Sequence, residues 1–169
     1  MAKKISMTLS RSSINDAINE LKTYKKELIN KNDIFVRRLV ELGLNVVNMK
    51  VRQSLGDSDD ATSKAYVDSL GKLVKAEIHL TGSDVLFIEF GAGIYYNTPG
   101  QHPLEDEFGY GVGTYPGQSH AYQDYWFYTD EQGNTGQISY GTQATMPMYS
   151  ASIEMYQQVV QIAREVFGG

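Results

Sequence analysis

The segment that most constrains the fold of this chain is residues 91–144, which are crowded with glycine and tyrosine. It holds ten of the sixteen glycines, eight of the twelve tyrosines and the only tryptophan, so long regular elements are disfavoured there. Each glycine costs roughly 0.5–1 kcal/mol more to order than alanine in regular structure, and an ordinary domain rarely carries so long a loop. We therefore expect an extended loop and hairpin insert, with the regular elements on either side of it.

Apolar residues recur at helical spacing on both sides of this insert. The pattern predicts two N-terminal helices at about 13–30 and 33–55, with Ser13 as the cap of the first and Asp33, or the asparagine before it, at the start of the second. A third helix is predicted at about 147–167, where a wide apolar face indicates packing under a sheet.

Between the helices the pattern changes to that of strands. Residues 72–80 alternate between apolar and polar side chains, which is typical of an amphipathic strand, and residues 84–90 are almost continuously apolar. We expect these two segments to pair as an antiparallel hairpin around Gly82 and Ser83, with 64–71 as a further short strand. A second hairpin is expected within the insert, at 126–140.

These elements predict an α+β fold. It comprises N-terminal helices, a small antiparallel sheet with a long Gly/Tyr-rich insert, and a C-terminal helix packed on the sheet. One domain covers residues 13–169, the insert is 91–144, and residues 1–12 are expected to form a flexible arm.

Charge is distributed unevenly along the chain. Residues 1–38 carry nine Lys/Arg and four Asp/Glu, a balance of +5, and residues 39–169 carry six and sixteen, a balance of −10. No Lys or Arg occurs between Lys75 and Arg164. A surface built from this interval would repel nucleic acid, although a solvated acidic face without function is an equal alternative.

The sequence lacks the patterns of membrane, cofactor and catalytic segments. Cysteine is absent, and no apolar run is long enough to span a bilayer. The glycines of 109–113 neither follow a strand nor open a helix, as those of a dinucleotide loop do. The histidines are far apart, and a metal site built from His102 and His120 with Glu105 or Asp124 is a minor alternative. We therefore expect no cofactor, no metal, no membrane association and no enzyme activity.

Glu89 is the strongest single candidate for chemistry, because it ends an apolar segment beside a glycine-rich turn. As a general acid or base, it would act with His102 or His120 in a small hydrolase. The simpler interpretation is a structural carboxylate that accepts hydrogen bonds from backbone N–H groups of the turn at Gly91–Gly93. In that case Glu89→Ala would cost on the order of 1–3 kcal/mol of stability.

Two short motifs bracket the insert. The first is Ile88, Glu89, Phe90, Gly91, Ala92 and Gly93, and the second is Pro147, Met148, Tyr149, Ser150 and Ala151. Their order resembles that of the gene-product-ten-like family of neck, or tail-completion, proteins of long-tailed phages, in which a similar EFG motif ends a strand and a proline turn begins the last helix. The resemblance covers roughly residues 33–167, and the insert is longer here than in compact members of the family.

The resemblance implies a non-enzymatic virion protein at the head–tail junction, made in the host cytoplasm. Such a protein joins the capsid connector to the tail, forms a ring with copies of itself, and contacts neighbouring neck, connector and tail-tube proteins, while DNA at most passes through the channel. Aromatic residues of the insert are then the expected assembly interface, since they give a large contact area at low entropic cost. These residues are Tyr95, Tyr96, Tyr110, Tyr115, Tyr122, Tyr125, Trp126 and Tyr128.

Three alternatives remain open from the sequence. A tail terminator ring, which caps the tail tube, would show the same signals. A small hydrolase would use Glu89 with a histidine, and a nucleic-acid-binding module would use the basic N-terminal helix.

Overall fold

The computed structural model describes residues 4–55, 61–70, 73–93, 102–108, 123–130 and 132–168. The elements are α1 (Arg11–Leu55), β1 (Ala61–Leu70), β2 (Leu73–Gly82), α2 (Val85–Phe90), α3 (Glu105–Phe108), β3 (Trp126–Tyr128), β4 (Gln137–Ser139) and α4 (Pro147–Phe167). The architecture is α+β, as predicted, with helices packed on the small antiparallel sheet of β1 and β2, and with β3 and β4 as a second two-stranded sheet. None of the described helices combines the length and apolarity that crossing a membrane requires.

α1 is one continuous helix of 45 residues, so the prediction of two helices divided near Asp33 is wrong. Asp33 does not start a helix because its carboxylate pairs with Arg37 one turn later, at 2.7 Å, and accepts a hydrogen bond from Ser69 of β1. The helix also begins earlier than expected. Ser10, not Ser13, is its N-cap, since Ser10 Oγ accepts the Ser13 N–H at 3.2 Å.

β1 and β2 form an antiparallel hairpin in which Ala61 lies opposite Gly82. Side chains in β2 alternate between exposed and half-buried positions, which confirms the predicted amphipathic strand. The half-buried positions are Val74, Ala76, Ile78 and Leu80. The predicted partner is wrong, because β2 pairs with the strand before it rather than with residues 84–90.

Residues 85–90 form the short helix α2 and not a strand. The Ile88 N–H donates to Asp84 O at 3.0 Å, and the Gly91 N–H donates to Phe87 O at 2.7 Å. An apolar run of this length is compatible with a buried helix or a buried strand, so periodicity alone could not separate them. Ile88, Glu89 and Phe90 are all buried, so the end of this helix lies within the core.

α4 begins at Pro147 and ends at Phe167, as predicted, and runs antiparallel along α1. At one end Phe35 meets Phe167, with ring centroids 5.7 Å apart. At the other end Ala151 belongs to the buried core cluster, whose other members are Val47, Val51 and Ile88. The core therefore joins α1, α2 and α4.

Gly43 marks the point at which α1, α4 and the β1–β2 hairpin meet. A Cβ atom at this position would lie 2.7 Å from both Ile78 Cδ1 and Met155 Sδ. The side chains of β2 and α4 thus converge over α1 at a residue that has no side chain of its own.

Candidate functional site

Glu89, at the end of α2, caps the N-terminus of α4, although the two lie about 60 residues apart in the sequence. Its Oε2 accepts the Met148 N–H at 2.8 Å, and its Oε1 accepts the Tyr149 N–H at 3.0 Å. Met146, the residue at the N-cap position, is left-handed with φ of 51° and provides no side-chain cap. The first N–H groups of a helix lack partners within it, and negative charge is favoured there. Glu89 therefore supplies the cap that the local sequence lacks.

His102 completes a buried network with this carboxylate. Its Nε2 lies 3.0 Å from Glu89 Oε1, and its Nδ1 accepts the Leu104 N–H at 3.1 Å. Because Nδ1 is an acceptor, the ring proton is assigned to Nε2, which donates to Glu89. The ring is 2% exposed and packs against Phe90 and Tyr149, at centroid distances of 4.5 and 5.2 Å.

Glu89 accepts hydrogen bonds from backbone N–H groups, as predicted, but the predicted donors are wrong. It accepts N–H groups of the first turn of α4, not those of Gly91–Gly93. The reason is that α2 is helical, so the Gly91 N–H is used by Phe87 O, while the Ala92 N–H donates to Thr142 O.

The two sequence motifs therefore form one structural unit. Ile88 O accepts the N–H groups of Thr145 and Met146, at 2.8 and 3.1 Å, and Ala92 and Thr142 exchange a pair of backbone hydrogen bonds. Gly141, with φ of 104°, permits this contact, since a Cβ there would lie 2.1 Å from Ala92 O. Backbone bonds and the carboxylate together hold the start of α4 against the end of α2.

A cavity of about 380 Å³ lies beside the Glu89–His102 pair. Its other walls are apolar and include Phe90, Leu104 and Phe108. General acid–base chemistry needs a group that can exchange a proton with a substrate, but both ring nitrogens and both carboxylate oxygens already have hydrogen-bond partners. The arrangement links three chain segments, and every polar atom of the pair takes part in a hydrogen bond within the chain.

The predicted hairpin in the insert is confirmed as β3 paired with β4, with Phe127 opposite Ile138. One of its faces is apolar and exposed. Its members are Tyr125, Phe127, Ile138 and Tyr140, with exposed fractions of 50%, 62%, 49% and 57%. Tyr125 contacts both Phe127 and Tyr140, at centroid distances of 5.7 and 6.3 Å. We call these four residues the aromatic face.

The predicted interface residues fall into four groups. Tyr125 belongs to the aromatic face, and Tyr128 is exposed outside it. The Trp126 side chain lies on the opposite face of the hairpin. Its Cζ3 would be 3.4 Å from a Cβ atom at Gly93, so Trp126 packs against the domain itself. Five predicted residues lie outside the described part of the chain, namely Tyr95, Tyr96, Tyr110, Tyr115 and Tyr122. Sequence reasoning missed Phe127, Ile138 and Tyr140, although the alternation in the hairpin was the signal that could have found them.

For the metal alternative, His102 is committed to Glu89, and Asp124 is exposed. His120 and the side chain of Glu105 lie outside the described residues. Within the part of the chain that the structure describes, no three His, Asp or Glu side chains are grouped as metal ligands.

Comparison with protein-family models, with curated proteins and with solved structures gave no match for this chain.

Proposed function

We propose that this chain is a non-enzymatic virion assembly protein at the head–tail junction of a phage. It joins the capsid connector to the tail as a neck, or tail-completion, protein. It acts there with copies of itself and with neighbouring neck, connector and tail-tube proteins.

The observation that carries this proposal is the aromatic face of the β3–β4 hairpin. Four large apolar side chains on one side of a short hairpin are each about half exposed or more. Contiguous apolar surface of this kind marks interaction sites, and aromatic residues are enriched at the centres of protein interfaces. An assembly protein needs such a surface, whereas a monomeric enzyme does not.

The hydrogen bonds of Glu89 and His102 also support a non-enzymatic role. The two motifs that carry the resemblance to neck proteins are hydrogen-bonded to each other, so a structural requirement accounts for both. The hydrolase alternative with His102 is less well supported, since neither ring nitrogen is free to act as a base in this arrangement.

The test is genetic complementation of a phage that lacks this gene. We expect DNA-filled heads and separate tails of normal length from the deletion, and joined particles when the wild-type chain is supplied. Normal joined particles from the deletion would refute the proposal. Tails of irregular length would instead favour the tail terminator, which caps the tail tube.

The aromatic face can be tested in the same assay with a matched pair of variants. Phe127→Asp puts a charge on the exposed aromatic face and should abolish joining. Gln137→Asp puts the same charge at an exposed position on the opposite face of the hairpin and should preserve joining. Equal joining by both variants would mean that the aromatic face is not the interface.

A further inference from the structure

The N-terminal half of α1 carries its charges on two separate sides. Four exposed cations lie within about 100° of the helix circumference, given 3.6 residues per turn. These cations are Arg11, Lys22, Lys25 and Lys26, and we call them the basic face. Three exposed acidic residues of the same segment lie on the opposite side of the helix, namely Asp16, Glu20 and Glu27.

The basic face has no carboxylate partner along the helix. None of its four residues has an Asp or Glu three or four positions away, the spacings at which opposite charges pair on a helix. Lys22 and Lys26 are instead four residues apart, and like charges at that spacing destabilise a helix. The ion pairs of Lys and Arg in the described part of the chain involve Arg37, Arg38 and Lys75, none of which belongs to the basic face. A bound anion would relieve this repulsion.

The basic face lies at one end of the molecule. Phe35 packs against Phe167, the last residue of α4, so the preceding turns of α1 extend past the end of α4. Residues 1–38 have a formal balance of +5 and the remaining residues one of −10. Only the N-terminal part of α1 therefore offers a positive surface to an anion, and the rest of the chain repels it.

We infer that the basic face of α1 binds the phosphate backbone of double-stranded DNA without sequence preference. The four cations lie on one rigid helix and span about 22 Å along it, which matches an extended row of phosphates rather than a single small anion. The exposed side chains of Asn15 and Asn19 lie on the same side and can donate hydrogen bonds to phosphate oxygens.

Two other polyanions fit the helix less well. Single-stranded nucleic acid binds where bases stack on aromatic side chains, but Tyr24, the aromatic residue of this half of α1, lies away from the basic face. An anionic membrane would take up the exposed apolar residues of α1, such as Leu21 and Leu28. These lie between the basic face and the acidic side, so the same contact would bring Glu20 and Glu27 close to the anionic headgroups.

The experiment measures binding of the full chain to a fluorescent 30-base-pair duplex of arbitrary sequence, by anisotropy, at several salt concentrations. Four phosphate contacts predict that the logarithm of the affinity falls with the logarithm of the salt concentration with a slope of about −3.6. The affinity should then fall roughly 100-fold between 50 and 200 mM salt. No binding at 50 mM salt would overturn the inference.

A matched pair of variants locates the contact. Lys22→Gln with Lys26→Gln should weaken binding at least tenfold at 100 mM salt and make the slope less steep by about 1.8. Arg52→Gln with Lys64→Gln removes the same charge from exposed positions elsewhere and should change the affinity by less than threefold. Equal losses in the two double variants would mean that net charge and not the basic face attracts DNA, which overturns the inference.

A gain of binding and a membrane control complete the test. Asn15→Lys adds a fifth cation to the basic face and should steepen the slope by about 0.9, an effect that a misfolded variant would not give. Binding to phosphatidylserine vesicles that is lost in Leu21→Asp, together with no binding to the duplex, would indicate a membrane-surface helix and would overturn the inference. Because binding is measured on the isolated chain, that failure would leave the proposed assembly function standing.

Discussion

Replacing Glu89 by glutamine tests whether one buried carboxylate holds the start of α4. Three N–H donors converge on this side chain, from Met148, Tyr149 and His102. A carboxylate can accept all three, whereas a glutamine offers one acceptor oxygen and an NH₂ group that must face a donor. At least one donor therefore loses its partner in a site that is 7% exposed.

The cost follows from those contacts. An unsatisfied buried donor costs about 1–3 kcal/mol, and loss of negative charge at a helix N-terminus adds roughly 0.3–1 kcal/mol. We expect Glu89→Gln to lower the free energy of unfolding by about 1.5–4 kcal/mol. For a chain of this length that corresponds to a fall in melting temperature of roughly 3–15 °C.

Thermal and urea unfolding followed by circular dichroism measure the effect. The matched control is Glu165→Gln, which removes an exposed carboxylate on α4 that pairs with Arg38 at 2.5 Å. Exposed pairs contribute little, so its melting temperature should barely change. In a His102→Phe background only the N–H donors of Met148 and Tyr149 remain, and one glutamine oxygen can accept both. Glu89→Gln should therefore lower the free energy of unfolding by less in that background than in the wild-type chain. An unchanged melting temperature for Glu89→Gln, or an equal loss in the control, would refute the capping argument.

Three further outcomes are expected. Gly141→Ala should lower the melting temperature far more than Gly136→Ala. Both glycines have positive φ, but a Cβ atom at Gly141 would clash with the backbone of Ala92, whereas nothing lies within 4 Å of a Cβ atom at Gly136. Equal losses in the two variants would contradict this. Hydrogen bonds and charge from Lys75, and then from His79, lower the pKa of Glu77 to about 2, so its contribution to stability is present above pH 4.5 and is lost as the pH falls toward 2. An NMR titration should give this pKa, and the stability difference from Glu77→Gln should vanish at the acid end. Amides of the β3–β4 hairpin should exchange faster in the free chain than in assembled particles, and equal protection would contradict an interface there.

The sequence predicted the elements whose pattern is long and one-sided. β2 alternates strictly, and α4 has a wide apolar face and a proline at its first position, so the range of about 147–167 predicted for α4 agrees with its bounds. The helix boundary predicted between 30 and 33 does not exist, because asparagine and aspartate cap a helix only when their side chains accept the N–H groups of its first turn. Asp33 instead turns to Arg37 and Ser69, and the second of these contacts is tertiary.

The candidate site was predicted only in part, for a similar reason. Glu89 stood out by its position before the glycines, but its partners lie 13 and about 60 residues away. No local rule predicts that a carboxylate of one helix caps another. The left-handed Met146 provides no side-chain cap, so the first turn of α4 needs an acceptor from elsewhere, and that need is visible only in the folded chain.

The β3–β4 hairpin packs one aromatic side chain against its own domain and leaves the next one exposed. Successive side chains of a strand point to opposite faces, so Trp126 packs toward Gly93 while Phe127, next to it, is 62% exposed. Register then decides which residues form the exposed aromatic face, because a shift by one residue would exchange the two faces. Asp130 helps to fix that register at the turn, where its carboxylate accepts the N–H groups of Gln132 and Asn134 at 3.1 and 2.8 Å. The turn therefore helps to decide which residues form the proposed docking surface without being part of it.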